Sequence, residues 1–411
     1  MKKVELLAPA GDLEKFKTAI QYGADAVYLA GDKLGLRTAS KNFSLDDIKE
    51  ATKIAHDLDK KVYLTLNVIS HNKDLEGVDE YIQSLDEAGV DAFIVSDPGI
   101  FQKVKTLAPS KEIHISTQAN ITNTATVEFW KSLGADRVIL ARELSLEEIK
   151  EIKDEVKDSI MIEAFVHGAM CMSYSGRCLL SNFMTGRSAN MGDCAHPCRY
   201  KYYLMEETRP GEYYPITEDE RGSYIMNSKD LCMINYIPEL IEAGVDSFKI
   251  EGRVKSEYYV ATVINQYRRA IDDYYEDIEK YKYNRDNNIY LEEIMKVSHR
   301  DFTTAFFFGD VKEASLTYDN SSYIRLYDFI ARVLDYDEDK KLMKVQERNK
   351  FSIGDEVEIF GPKFYDKFTI NKIYDENMNE VDNINTPMKE AYIPYDKKVE
   401  YNYMIRRKAN E

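Results

Sequence analysis

Gly23-Ala24-Asp25-Ala26-Val27-Tyr28 recurs along the chain as Gly89-Val90-Asp91-Ala92-Phe93-Ile94, Gly134-Ala135-Asp136-Arg137-Val138-Ile139 and Gly244-Val245-Asp246-Ser247-Phe248-Lys249. Each copy follows an amphipathic stretch, such as Tyr81-Ile82-Gln83-Ser84-Leu85-Asp86-Glu87-Ala88, and precedes a short apolar run. Glycine at the end of a helical stretch suits a left-handed cap, and the run after it suits a strand buried in a parallel sheet. The phrase is therefore a repeated helix-to-strand turn, and its glycines and aspartates are read as structural.

Working outward from these four turns yields eight candidate strands: Glu5–Ala10, Asp25–Ala30, Lys61–Asn67, Ala92–Asp97, Glu112–Gln118, Asp136–Ala141, Ile160–Val166 and Asp246–Gly252. The phrase introduces every second one. Helical periodicity fills the gaps, as in Leu45–Leu58, Thr124–Leu133 and Leu146–Val156, and a last helix is expected over Ser256–Tyr283. Eight alternating units predict a (β/α)8 barrel of the TIM type, an open doubly wound sheet being the other arrangement of this pattern. The barrel is assigned to residues 1–290, with a linker over 291–322. Residues 323–411 show strand alternation in Ile330-Ala331-Arg332-Val333-Leu334, Leu342-Met343-Lys344-Val345, Val357-Glu358-Ile359-Phe360 and Phe368-Thr369-Ile370, which predicts a small C-terminal β-barrel domain.

The seventh unit is anomalous. An insertion, residues 167–245, follows its strand and carries all five cysteines: Cys171, Cys178, Cys194, Cys198 and Cys232. Such clustering in a reducing compartment points to a metal or redox site rather than disulfides. The spacing lacks the paired C-x2-C knuckles of common zinc sites, which leaves zinc second. Thiolates suit iron–sulfur clusters, and a four-iron cluster takes four of them. A set of buried thiols is the plain alternative.

The formal charge of −17, from 55 basic and 72 acidic residues, argues against nucleic-acid binding by bulk charge but leaves room for a local basic site. With 44% hydrophobic residues the chain is not a disordered one. Met1-Lys2-Lys3 leads to Val4 and then Glu5, which is no secretion signal, and no run reaches the roughly 18 apolar residues of a membrane span. The expected compartment is the cytoplasm.

A barrel places its site at the C-terminal strand ends. Those ends supply Asn67, Asp97, Gln118, Arg142, His167, Lys249, Glu251 and Arg253. Asn67, Gln118, Arg142, Lys249 and Arg253 are candidates for substrate binding; Arg142, Lys249 and Arg253 suit a small dicarboxylate or an RNA phosphate, or else form rim salt bridges. His167 and Glu251 are the candidate acid–base residues, although His167, just before the first cysteine, equally suits support of a metal centre. Between Cys171 and Met205, Arg177, Arg187, Arg199 and Lys201 outnumber Asp193 and lie near Tyr200, Tyr202 and Tyr203, a composition that suits a single-stranded RNA loop or the packing of the insertion onto the barrel.

Glu163-Ala164-Phe165-Val166-His167-Gly168-Ala169-Met170-Cys171, continuing to Gly176-Arg177-Cys178-Leu179-Leu180-Ser181, resembles the signature of the collagenase-like peptidase family U32. Leu7-Ala8-Pro9-Ala10-Gly11-Asp12, Cys194-Ala195-His196-Pro197-Cys198-Arg199, Lys249-Ile250-Glu251-Gly252-Arg253, Ser298-His299-Arg300 and Thr303-Thr304-Ala305-Phe306-Phe307-Phe308-Gly309 extend the likeness in the same order over nearly the whole chain. The family is named for a collagen-degrading activity, yet several branches carry iron–sulfur clusters and serve oxygen-independent hydroxylations. The branch most resembled installs 5-hydroxyuridine at the tRNA wobble position, with prephenate as a helper metabolite. By this resemblance a 4Fe-4S cluster is held by Cys171, Cys178, Cys194 and Cys232, with Cys198 spare, and the partner is a tRNA anticodon loop.

A peptidase is the alternative activity, and a non-catalytic iron–sulfur subunit for RNA binding or electron transfer the third. The chain has no Gly-x-Ser-x-Gly elbow and no His-Glu-x-x-His helix. Thiolates committed to a cluster are not available as nucleophiles, which also weighs against the peptidase.

Overall fold

The computed structural model describes residues 3–35, 42–171, 173–199, 227–309 and 323–409, with short strands at 203–204, 214–215 and 316–317 and residue 211. Strands β1 (Glu5–Pro9), β2 (Ala26–Leu29), β3 (Lys61–Leu66), β4 (Ala92–Val95), β5 (Glu112–Ile115), β6 (Arg137–Ile139), β7 (Met161–Ala169) and β8 (Ser247–Ile250) pair in parallel in chain order. β8 pairs with both β7 and β1, which closes the barrel. The outer ring is α1 (Leu13–Gln21), α2 (Leu45–Asp57), α3 (Val78–Glu87), α4 (Pro98–Leu107), α5 (Thr124–Leu133), α6 (Leu146–Val156), α7 (Ile237–Glu242) and α8 (Glu257–Glu276). All eight strands read from the repeat are present.

The repeated phrase does the structural work its residues suggest. Gly23, Gly89, Gly134 and Gly244 have φ of 108°, 86°, 95° and 84°, a region a Cβ disfavours. The aspartate two residues later accepts a backbone N–H from the strand before: Asp25 from Leu6 at 2.9 Å, Asp91 from Val62 at 2.7 Å, Asp136 from Ile113 at 2.8 Å and Asp246 from Ile162 at 2.8 Å. Each even strand is thereby tied to its odd neighbour at the end of the barrel remote from the mouth, the end that serves stability rather than catalysis.

Strand alternation sorts the core into two layers. Leu7, Ala26, Tyr28, Tyr63, Ala92, Ile94 and Ile139 fill the barrel interior, whereas Leu6, Val27, Val62, Phe93, Ile162 and Phe248 face the helices. The last helix is shorter than expected. It ends at Glu276, because Asp277 leaves helical geometry at φ −150° and caps the next helix, α9 (Ile278–Asp286), by accepting the Lys280 N–H.

β7 runs past the mouth, and Asp230–Cys232 pairs antiparallel with its end, Cys232 opposite His167. After α10 (Ile289–Ile294), the C-terminal strands β9 (Tyr327–Asp337), β10 (Leu342–Glu347), β11 (Glu356–Gly361), β12 (Phe364–Thr369), β13 (Glu390–Pro394) and β14 (Met404–Lys408) form an antiparallel sheet in the order β12-β11-β14-β9-β10-β13. Two register shifts bend β9 around a core of Ile330, Val333, Val345, Ile359, Ile393 and Ile405.

This sheet is fastened to the barrel. Arg406, fully buried, pairs with Glu358 at 2.8 Å and with Glu293 of α10 at 2.5 Å, and Tyr258 of α8 stacks on Phe329 with ring centroids 5.2 Å apart. Glu257 takes Arg332 at 3.3 Å and Arg348 at 2.8 Å. No helix among the described residues is long and apolar enough to cross a membrane.

Candidate active site

The C-terminal strand ends enclose a cavity of about 120 Å³. Asn67, Gln118, Arg142, Lys249, Glu251 and Arg253 all line it, joined by Tyr28, Ser116, Thr117, Phe165 and Ser175. Residues separated by more than 180 positions in the chain meet here because each stands at or just beyond an inward-facing strand position.

A line of charge runs up the barrel axis to the cavity floor. Arg137 Nη1 donates to Glu5 Oε1 at 2.6 Å and to Glu163 Oε2 at 2.8 Å, and Lys249 Nζ donates to Glu163 Oε1 at 2.7 Å. Tyr63 and Ser247 each donate a hydroxyl to Glu5 at 2.7 Å. Burial pushes the Glu5 carboxyl up, but the Arg137 charge and these hydrogen bonds outweigh it and hold the group down at about 2. Glu163 is likewise held below its ordinary value, burial being overcome by Lys249 and Arg137. Burial lowers the Lys249 ammonium, with Glu163 opposing. Lys249 Nζ also lies 4.6 Å from the Tyr28 ring centroid and 5.4 Å from that of Phe165.

The insertion roofs the cavity through its first turn. Arg142 Nη1 donates to the Ala169 carbonyl at 2.8 Å and Nη2 to Ser175 Oγ at 3.1 Å. Gly176, at φ 74°, presses on Gln118: a Cβ there would stand 2.1 Å from Gln118 Oε1. Glycine at 176 is thus required both by conformation and by close approach.

Two sequence candidates stand elsewhere. His167 is fully buried among Tyr259, Tyr267 and Phe302, at ring-centroid distances of 6.0, 5.6 and 5.7 Å, on the helix-facing side of β7. Burial first, then the nearby Lys255 and His299 charges, push its imidazole down to about 3, which keeps it neutral. It reaches the cavity only through its carbonyl, which accepts the Glu251 N–H at 2.9 Å. The ring of His167 thus stands outside the cavity: Glu163 and Phe165, of the same strand parity, face inward, and the register shift at which Lys249 pairs with Phe165 but Ile250 with His167 turns it outward. Asp97 caps α4, accepting Gly99 N at 2.7 Å and Ile100 N at 3.0 Å, and does not line the cavity.

No disulfide joins the cysteines, all of which are described. Cys171 is exposed, Cys178, Cys194 and Cys198 are half-buried, and Cys232 is buried with its thiol pushed up to about 12 by desolvation. Among the described residues no three His, Cys, Asp or Glu side chains stand together so as to hold one metal ion. Thiols are the donors that an iron–sulfur cluster takes, and Cys171, Cys178, Cys194 and Cys232 would supply them.

In the insertion, Arg187 is tied to Asp193 at 2.7 Å, while Arg177 lines a shallow groove with Asn120, Thr122, Ser173 and Tyr174. Tyr200, Lys201 and Tyr202, and the side chains of Arg199 and Tyr203, lie outside the described residues. Sequence reading passed over Phe165, Ser116 and the Glu5–Arg137–Glu163 line. A signal existed for the last: charged residues at inward positions of otherwise apolar strands have to be paired.

The chain matches the model of peptidase family U32 over residues 11–317 and that of the family's C-terminal domain over 325–406. It is 44% identical to tRNA hydroxylation protein P1 of Bacillus subtilis, covering 99% of this chain and 95% of that protein. It is 37% identical to tRNA hydroxylation protein P of Escherichia coli, covering 98% and 96%. It is also 42% identical to an uncharacterized protease of Methanocaldococcus jannaschii, covering 88% of each. With its barrel, cysteine-bearing insertion and C-terminal sheet all accounted for, the chain belongs to peptidase family U32.

Proposed function

We propose that this protein is a tRNA-modifying enzyme that hydroxylates the wobble uridine at its C5 position, without molecular oxygen and with prephenate as a helper metabolite. The observation that carries the reading is the cavity itself. Six residues picked out from the strand ends converge on it beneath the cysteine-bearing insertion, in a chain whose relatives over almost its full length include tRNA hydroxylation proteins. Arg142, Lys249 and Arg253 supply donors for a carboxylate or phosphate, Asn67 and Gln118 supply amides, and Glu251 is the carboxylate at the mouth suited to move a proton. A 4Fe-4S cluster held by Cys171, Cys178, Cys194 and Cys232 belongs to the proposal on the chemistry of the thiols and their clustering in sequence.

The peptidase reading finds little support among the described residues. Cys232, which faces His167 across a strand pair, has its thiol pushed up by burial, the opposite of an activated nucleophile.

Nucleoside analysis of tRNA from a deletion strain tests the function. Derivatives of 5-hydroxyuridine are expected to disappear and to return on complementation; unchanged levels overturn the reading.

A further inference from the structure

We propose, resting on the hydroxylation reading above, that the cavity takes one pyrimidine base swung out of an RNA loop and that Asn67 selects it by its N3–H. The cavity's volume is about 120 Å³. It admits one flat heterocycle and is far below the roughly 300–1,000 Å³ of a site for a larger organic ligand. An enzyme acting on a base inside a folded RNA has to extrude it, and pockets for extruded bases combine a stacking face with groups that read the Watson–Crick edge.

Both parts are present. Phe165 offers the aromatic ring at the cavity wall, with the Arg142 guanidinium 5.0 Å and Lys249 Nζ 5.4 Å from its centroid, so a base enters against the ring beside these two cations. Asn67, nine-tenths buried, spends its Nδ2 on Ser116 Oγ at 3.0 Å and leaves Oδ1 buried without a partner. Gln118 Oε1 is buried without a partner as well. An orphaned buried acceptor is costly, so the occupant that fits brings a hydrogen-bond donor, which in a nucleobase is an N–H.

Uracil answers this pattern. Its N3–H lies between two carbonyls: the N–H meets Asn67 Oδ1, and the carbonyls meet the donors of Lys249, Arg142 and the Gln118 amide. Cytosine presents a bare N3 lone pair to the same oxygen, and 3-methyluracil has lost the proton. A site built around a hydrogen bond rejects an analogue lacking it more strongly than an apolar site does.

The test uses full-length protein purified anaerobically, supplied with prephenate, and three synthetic anticodon stem-loops that differ only in carrying uridine, cytidine or 3-methyluridine at the wobble position. Binding is read by fluorescence anisotropy and hydroxylated product by mass spectrometry in the same samples. The uridine loop is expected to bind at least about tenfold more tightly than the other two. In Asn67→Leu the three are expected to come within about threefold of one another. Equal binding of all three by the wild type overturns the inference, as does a full uridine preference surviving in a folded Asn67→Leu. Uridine preference with no hydroxylated product overturns the hydroxylation reading and leaves the base pocket standing; product formed equally from all competent loops does the reverse.

Discussion

Arg142 places its Nη2 3.8 Å from the Sγ of Cys171, while the same side chain lines the cavity and holds the Ala169 carbonyl and Ser175 hydroxyl. One guanidinium therefore couples the reaction chamber to the first cysteine of the insertion. Only a planar fork serves these directions at once, which a lysine with a single nitrogen does not reproduce.

Arg142→Lys is accordingly expected to lower hydroxylated product by about a hundredfold, the effect of misplacing a site by about an ångström, while the protein stays folded. Product quantification on isolated tRNA, with circular dichroism as the control for folding, checks this. Unchanged product would reduce Arg142 to a strut of the roof.

The cysteines are expected to divide four to one. Anaerobic protein should carry about four irons and four sulfides per chain, lost in Cys171→Ala, Cys178→Ala, Cys194→Ala and Cys232→Ala and retained in Cys198→Ala. Iron and sulfide analysis with absorption spectra distinguishes this from a zinc site, which would be colourless.

Acid should unfold the barrel through Glu5. Against burial, the Arg137 charge and the hydrogen bonds from Tyr63 and Ser247 hold its carboxyl down at about 2 in the folded protein, against 4.5 ordinarily. A depressed folded value means the stabilisation is complete above 4.5 and is lost as pH falls from 4.5 toward 2. About 2 kcal/mol of it should be gone by pH 3. Urea unfolding at pH 7 and pH 3 measures the loss, and Glu5→Gln should show a correspondingly shallower dependence over that window.

Between barrel and C-terminal sheet, Arg406 is the residue whose loss should tell most. Removing it leaves Glu358 to Lys296 and Lys367, each at 3.0 Å, and Glu293 to Lys296 at 2.6 Å, so the expected cost of Arg406→Met is that of its own charged hydrogen bonds, about 1.5–3 kcal/mol. Neutralising one partner as well, in Arg406→Met with Glu358→Gln, should recover little of that loss in the same urea titration, because the two lysines still balance the carboxylates.

Much of the fold was legible because its signals are local. The Gly-x-Asp phrase marks four helix-to-strand turns, and the alternation of apolar runs with amphipathic stretches marks the strands between them. Asp277 shows where local reading falls short: periodicity continued through it, but a carboxylate free to cap the next turn ended the helix. Strands β13 and β14 also escaped it. Met404–Lys408 ends in Arg-Arg-Lys, which reads as a polar tail, yet Arg406 is buried at the centre of the sheet because Glu358 and Glu293 wait for it.

The sequence by itself determined the barrel, the position of the insertion, and six of the residues at the mouth, since a parallel barrel always opens at its C-terminal strand ends. Only the tertiary structure decided which of those residues face one chamber. His167 and Lys249 are both polar residues near strand ends, but a register shift between β7 and β8 sends one toward α8 while the other keeps to the axis. Closure also brought Glu5 to Arg137, 132 positions away, and set Gly176 of the insertion against Gln118. These meetings depend on how eight strands are staggered around a ring, a relation among distant segments that no local pattern of residues carries.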